Sequence, residues 1–253
     1  MSRLSGKILM VIGGGSGIGA ATAQRLAQEG ATVVVADLDA DAAERVAGGI
    51  VREGGCASAA VCDIADEPSV RALVESTVQH FGGIDGVHIN AADMKTLLLD
   101  TDALEVPLEV FDRTLQVNLR GHLLCTRYLI PELLRRGGGA IVYTSSGAAF
   151  AGEPTRVSYA VSKSGLHALM RHVASRWGKQ GIRANAVAPG LVITEQLRAN
   201  FPQDLADAVL RDTRSPRLGR SEDIAAMVAL LLSDDGAWIN AQVFSVDGGT
   251  TLR

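Results

Sequence analysis

The chain has 253 residues and a formal net charge of −4, with 47% hydrophobic but only 4% aromatic residues. This length suits one large α/β domain or two small ones, and a single domain is the expectation. The acidic balance leaves no basic footprint for nucleic acid, and no polybasic run stands beside an apolar anchor.

The apolar run Ile8 to Ile12 is too short to cross a bilayer and lacks a signal-peptide core. No membrane association and a cytoplasmic location are therefore expected. Cys56, Cys62 and Cys125 are odd in number and lack CxxC spacing, which argues against a disulfide framework or a zinc site. All three read as small buried hydrophobes. The five histidines (His80, His88, His122, His167 and His172) show no ligand spacing on a shared helix face, and no metal is assigned.

In chain order, Lys7 to Gly13 is an apolar run ended by glycines, followed by a helix-compatible stretch from Gly19 to Gly30. Ala31 to Asp37 reads as a second strand, and DADAAERVAGGIV after it as an amphipathic helix. Further strands are expected at Ser58 to Asp63, Ile84 to Asn90, Gly139 to Ser146, IRANAVAP and Ala241 to Asp247. Helices are expected after Pro68, through Asn118 to Arg136, from about Ser158 to Gly178, and from Ser221. Seven apolar strands separated by helices predict one Rossmann-type, doubly wound parallel sheet, an α/β fold with helices on both faces. Residues 191–219 hold Pro202, Pro216 and several charges without a clear strand. Such an insertion at the carboxyl edge of a sheet reads as a lid, where substrate specificity is expected.

Gly13, Gly17 and Gly19 stand in IGGGSGIG, directly after the first strand and at the start of a helix. Glycines there allow a tight turn and let a pyrophosphate approach the helix N-terminus, where free N–H groups favour an anion. Such loops also occur in methyltransferases, so Asp37 matters more: it closes the second strand about twenty residues later, where a carboxylate accepts hydrogen bonds from both adenosine ribose hydroxyls. An extra 2′-phosphate would meet like charge, and no Arg or Lys nearby neutralises it, so NAD is favoured over NADP. The competing role for Asp37 is a helix cap. Asp63 can accept from the adenine amino group or cap a turn, and Asn90 can floor the cofactor or simply end its strand.

Tyr159 and Lys163 in YAVSK are four apart on a predicted helix and project from one face. A nearby ammonium stabilises a phenolate and makes tyrosine a better acid/base near neutrality. Ser146 ends the fifth strand at the ligand-binding edge, where its hydroxyl can donate to a carbonyl oxygen. Asn118, a poor helix former inside VNLRG, can hold a water on the Lys163 side.

These residues, with IGGGSGIG, NAA, VNLRG, YTSS, YAVSK, NAVAPG and the closing DGG, make the chain resemble the short-chain dehydrogenase/reductase family over essentially its full length. The resemblance implies a catalytic tetrad of Asn118, Ser146, Tyr159 and Lys163. In the family the Ser and Tyr are thirteen apart, which fits Ser146 and not Ser145. It implies cofactor contacts from Gly13, Gly17, Ile18, Gly19, Asp37, Asp63 and Asn90, with their neighbours Gly15, Ser16, Leu38, Ile64 and Ala91. Pro189, Gly190, Val192 and Thr194 match the segment that holds the nicotinamide carboxamide. Lys163 would both lower the Tyr159 pKa and bind the nicotinamide ribose, and a homotetramer is implied, with the Asn118 and Tyr159 helices packed between subunits. Two positions depart from the family pattern: Ile12 stands where Thr is usual, and Ile89-Asn90-Ala91-Ala92 replaces NNAG. Both bear on the support of the cofactor floor.

The expected reaction is reversible: Tyr159, as phenolate, takes the alcohol proton while hydride leaves the carbinol carbon for nicotinamide. Met94, Phe150, Leu191, Leu197 and Phe201 are candidates to line an apolar substrate pocket, against the competing reading of ordinary core. Lys95 and the arginines of RDTRSPRLGR suit either an acidic substrate or a solvated charge run. A secondary alcohol or ketone is the expected substrate class. The alternatives are an NADPH-dependent 3-oxoacyl reductase, which Asp37 argues against, and a non-catalytic cofactor-binding scaffold, which the intact Ser146, Tyr159 and Lys163 set argues against.

Overall fold

The computed structural model describes residues 2–194 and 202–252. Its strands are β1 (Ile8–Ile12), β2 (Thr32–Asp37), β3 (Cys56–Val61), β4 (Gly86–Ile89), β5 (Gly139–Thr144), β6 (Ile182–Pro189) and β7 (Val243–Val246). The helices between them are α1 (Gly17–Gln28), α2 (Ala40–Arg52), α3 (Glu67–Phe81), α4 (Leu108–Leu115), α5 (His122–Arg135), α6 (Val157–Trp177), α7 (Gln203–Asp212) and α8 (Ser221–Leu232). All seven strands pair in parallel, in the order β3-β2-β1-β4-β5-β6-β7. This is the expected Rossmann-type sheet, and the order reverses between β1 and β4, where a crevice opens at the carboxyl ends of the strands.

Successive strand residues face opposite sides, so each central strand feeds two cores. Met10 and Ile12 pack with Leu73, Leu124, Leu129 and Met170 on one face. Leu9 and Val11 pack with Leu26, Ile224 and Val228 on the other. Helices begin where the sequence supplies caps: Asp39 accepts from Ala42 N at 3.0 Å, and Asp66 accepts from Ser69 N at 3.0 Å.

Three expectations are corrected. The third strand begins at Cys56 and ends at Val61, not Ser58 to Asp63, because Thr32 pairs with Cys56 and sets the register of this edge strand. Cys56 is exposed as a result, unlike Cys62 and Cys125. The helix expected around Asn118 is also not continuous, since a π turn over Gln116–Gly121 separates α4 from α5. Gly121 in that turn packs against the loop after β3, where a Cβ would come within 2.8 Å of Ile64. Leu197 and Phe201 lie outside the described residues, and no described helix is long and apolar enough to cross a membrane.

Native protein treated with an aromatic disulfide reagent is expected to release one thiol equivalent quickly, from Cys56, and the remaining two only on unfolding; fast release of all three would refute the burial of Cys62 and Cys125.

Candidate active site

The glycine loop is built around one carbonyl. Gly13 has φ 82°, in the left-handed region, and a Cβ there would lie 2.6 Å from the backbone of Ala91. A Cβ on Gly19 would come 1.9 Å from the Gly13 carbonyl oxygen. No side chain fits at either position, so α1 starts tight against the end of β1. The Gly13 oxygen accepts from Asn90 Nδ2 at 2.9 Å. One Asp37 carboxylate oxygen accepts from Gly15 N at 2.8 Å, and the other from Asp39 N at 3.1 Å. Leu38 beside it is exposed. Asp37 therefore braces the loop, while the cap of α2 is the separate residue Asp39.

Asp63 accepts from Ala65 N at 2.8 Å, an Asx turn just beyond β3 that leaves Ile64 buried against Gly121. The segment after β6 folds back toward the glycine loop. Gly190 packs on Asp247, Val192 pairs with Gly219, and the Thr194 methyl would stand 3.1 Å from a Cβ on Gly17. Ser16 and Ile18 lie at the start of α1 on either side of Gly17, with Ile18 packed against the core.

Ser146 follows β5 and accepts from Ala148 N at 3.2 Å. Its hydroxyl lies close enough to the Tyr159 phenol to hold that group's pKa down. Lys163 is buried, its Nζ donates to the Thr144 carbonyl at 2.9 Å, and it stands 5.6 Å from the Tyr159 ring centre. No carboxylate among the described residues partners it, and burial pushes its pKa down to about 8. Burial pushes the Tyr159 phenol up, while the Ser146 hydrogen bond and the Arg156 charge hold it down. Asn118 is buried in the π turn; its Oδ1 accepts from Asp93 N at 2.8 Å, while Nδ2 has no partner among the described residues.

A sequence profile described as Enoyl-(Acyl carrier protein) reductase matches residues 13–251. A probable short-chain type dehydrogenase/reductase of Bradyrhizobium diazoefficiens is 46% identical over 98% of this chain and 89% of its own length. The chain belongs to the short-chain dehydrogenase/reductase family. A 2,5-dichloro-2,5-cyclohexadiene-1,4-diol dehydrogenase of Sphingobium indicum is 39% identical, covering 99% of each chain. Among solved structures, a 7α-hydroxysteroid dehydrogenase complexed with NADH and 7-oxo glycochenodeoxycholic acid superposes with a TM-score of 0.91. It is 32% identical, over 99% of this chain and 97% of that one.

For a short-chain dehydrogenase/reductase, this chain has several polar groups that sequence reasoning missed. The buried Asp100 carboxylate accepts from Ser158 N, Ser158 Oγ and Tyr159 N, at 3.1, 2.8 and 2.8 Å. It caps the helix carrying Tyr159 from 58 residues away, a separation no local capping pattern can reveal. His88 and His122 are buried near Lys163, and burial with that cation lowers each to a pKa of about 3.

The substrate candidates divide. Met94 and Lys95 are exposed, Leu191 is half-buried, and Phe150 stacks on His167 with ring centres 4.8 Å apart. Arg217 is committed to Asp223 in a paired contact at 2.7 and 2.8 Å, so that part of the arginine run organises the start of α8.

The two neutral imidazoles make the protein acid-sensitive. The unfolded chain takes up protons below about pH 6.5, whereas the native state does not until about pH 3. Their contribution is whole above pH 6.5 and is lost as pH falls toward 3, by up to about 1.4 kcal/mol per pH unit per histidine. Chemical denaturation between pH 7 and pH 5 should show this decline, and His122→Phe should flatten it; a level profile would contradict the buried neutral rings.

Proposed function

We propose that this oxidoreductase interconverts a secondary alcohol and a ketone with NAD(H), Tyr159 acting as general acid/base. The chain is read as one catalytic and dinucleotide-binding domain, with a lid at 191–219. The observation that carries the reading is the meeting of the Ser146 hydroxyl, the Tyr159 phenol and the Lys163 ammonium at the strand ends beside the glycine loop.

The residues present fit a dinucleotide. Gly13 and Gly19 leave backbone where side chains would block a pyrophosphate, and Asp37 stands at the end of β2 to receive the adenosine ribose. Asp63 and Ile64 flank the adenine side, Asn90 and Ala91 form the floor, and Pro189, Gly190, Val192 and Thr194 flank the nicotinamide. Bound there, NAD supplies the hydride acceptor. Tyr159 takes the hydroxyl proton of the alcohol, or returns it to the ketone oxygen. Ser146 donates to that oxygen and fixes its direction, and Lys163 opposes the negative charge on the phenolate. Asn118, with a free Nδ2 in the same interior, is read as the support for a water that passes the proton on.

NAD is preferred to NADP on charge. Asp37 is followed by Leu38, Asp39, Ala40 and Asp41, so a 2′-phosphate would meet carboxylates and no cation. The substrate is read as a small apolar alcohol or ketone entering beside Phe150 and Leu191. Exposed Leu123 on α5 and Val161 on α6 are read as part of a homotetramer interface.

Calorimetric titration should give NADH binding at least about a hundredfold tighter than NADPH, as a like-charge contact demands. Equal affinities would remove the role of Asp37. In a panel of secondary alcohols, Tyr159→Phe is expected to lower kcat by about a thousandfold or more while NADH affinity stays within about twofold. Retained turnover in that variant would end the acid/base assignment.

A further inference from the structure

A chain of hydrogen bonds, buried at His88 and part-buried at Asn90, runs behind the candidate site, and its donors and acceptors can be assigned without ambiguity. Asn90 Nδ2 donates to the Gly13 carbonyl at 2.9 Å, an atom that can only accept, so Asn90 Oδ1 faces the opposite way. That oxygen accepts from Thr144 Oγ1 at 3.0 Å. A hydroxyl has one hydrogen, and it is committed here. His88 Nε2 lies 2.7 Å from the same Thr144 oxygen, so the imidazole must be the donor. His88 is then the neutral Nε2–H tautomer, which agrees with an Nδ1 that has no partner among the described residues and with a ring that burial keeps uncharged.

The sheet explains why these side chains meet. His88 and Asn90 are two apart at the end of β4 and share a face; Val142 pairs with His88, and Thr144 lies two residues beyond Val142 on β5. Ile12, the neighbour across β1, pairs with Ile89 and is a buried hydrocarbon with no hydroxyl to offer. The Thr144 carbonyl takes Lys163 Nζ, so one residue touches both the catalytic lysine and the support of the glycine loop.

We propose that Thr144, ordered by His88, is a positioning residue for the cofactor floor. Its hydroxyl fixes the Asn90 amide, and the amide fixes the Gly13 carbonyl around which the glycine loop turns. The inference rests on the dinucleotide reading of that loop given above. Without the hydroxyl, Asn90 Oδ1 loses its donor and the amide rotates to find another, releasing Gly13.

The test pairs a binding measurement with a tautomer measurement. Thr144→Val keeps the shape and removes the hydroxyl, and should weaken NADH about tenfold, the scale of one lost buried hydrogen bond. Thr144→Ser restores the donor and should bind within about twofold of the parent. Parent-like affinity in Thr144→Val, or equal loss in both variants, would overturn the proposal. Long-range proton–nitrogen NMR of the parent should show His88 as the Nε2–H tautomer, unchanged from pH 8 to 5. An Nδ1–H or charged ring would also overturn it. A parent that binds no NADH would instead defeat the cofactor reading, and the His88 tautomer would still decide whether the relay has the assigned direction.

Discussion

The Gly13 carbonyl is the point on which the rest of the structure depends. It closes β1, forces Gly19 to lack a side chain, and takes the Asn90 amide from β4. These contacts bring the first helix N-terminus to the crevice where the strand order reverses, and the free N–H groups of that terminus suit an anion. The apolar residues beneath hold the strands in place. They are indifferent to chemistry, which falls to the polar groups at the strand ends, on α6 and in the π turn.

Behind those strand ends the buried interior is polar. Among the described residues Lys163 has a backbone carbonyl for a partner and no carboxylate, with two uncharged imidazoles nearby. A buried carboxylate would pin the ammonium in a tight pair, whereas a carbonyl holds it weakly enough to leave it poised between its charged and neutral forms near pH 8. Asp100 works one turn before Lys163 on the same helix, offering its oxygens to the N–H groups around Tyr159. The segment from Asp93 to Asp100 thus spans from Asn118 to Tyr159 and holds two members of the proposed tetrad to a common frame.

Much of this was legible in the sequence because it depends on local period and punctuation. Continuous apolar strands, glycines at their ends and YAVSK on one helix face all report on structure within a few residues. The parallel sheet, the seven strands and the family follow from such signals. What escaped is set by pairing across the fold. The start of β3 at Cys56 comes from its register with β2, which no propensity encodes. Asp100 and His88 look like ordinary loop and strand residues, and acquire meaning only from partners 58 and 56 positions away. The departure at Ile12 was visible as a lost hydroxyl, but the Thr144 hydroxyl that reaches Asn90 from another strand was not.

The π turn at Gln116–Gly121 makes length itself a constraint. Such a turn is an α-helix that has absorbed one extra residue, and each residue advances a helix by about 100°. The faces of α4 and α5 are therefore out of step with one another, and the extra residue lets α4 pack on α6 while α5 packs on α3. A single deletion would close the turn into regular helix, swing Asn118 away from Asp93 and misalign one of the two packed faces, so the number of residues here is as much a part of the site as their identity.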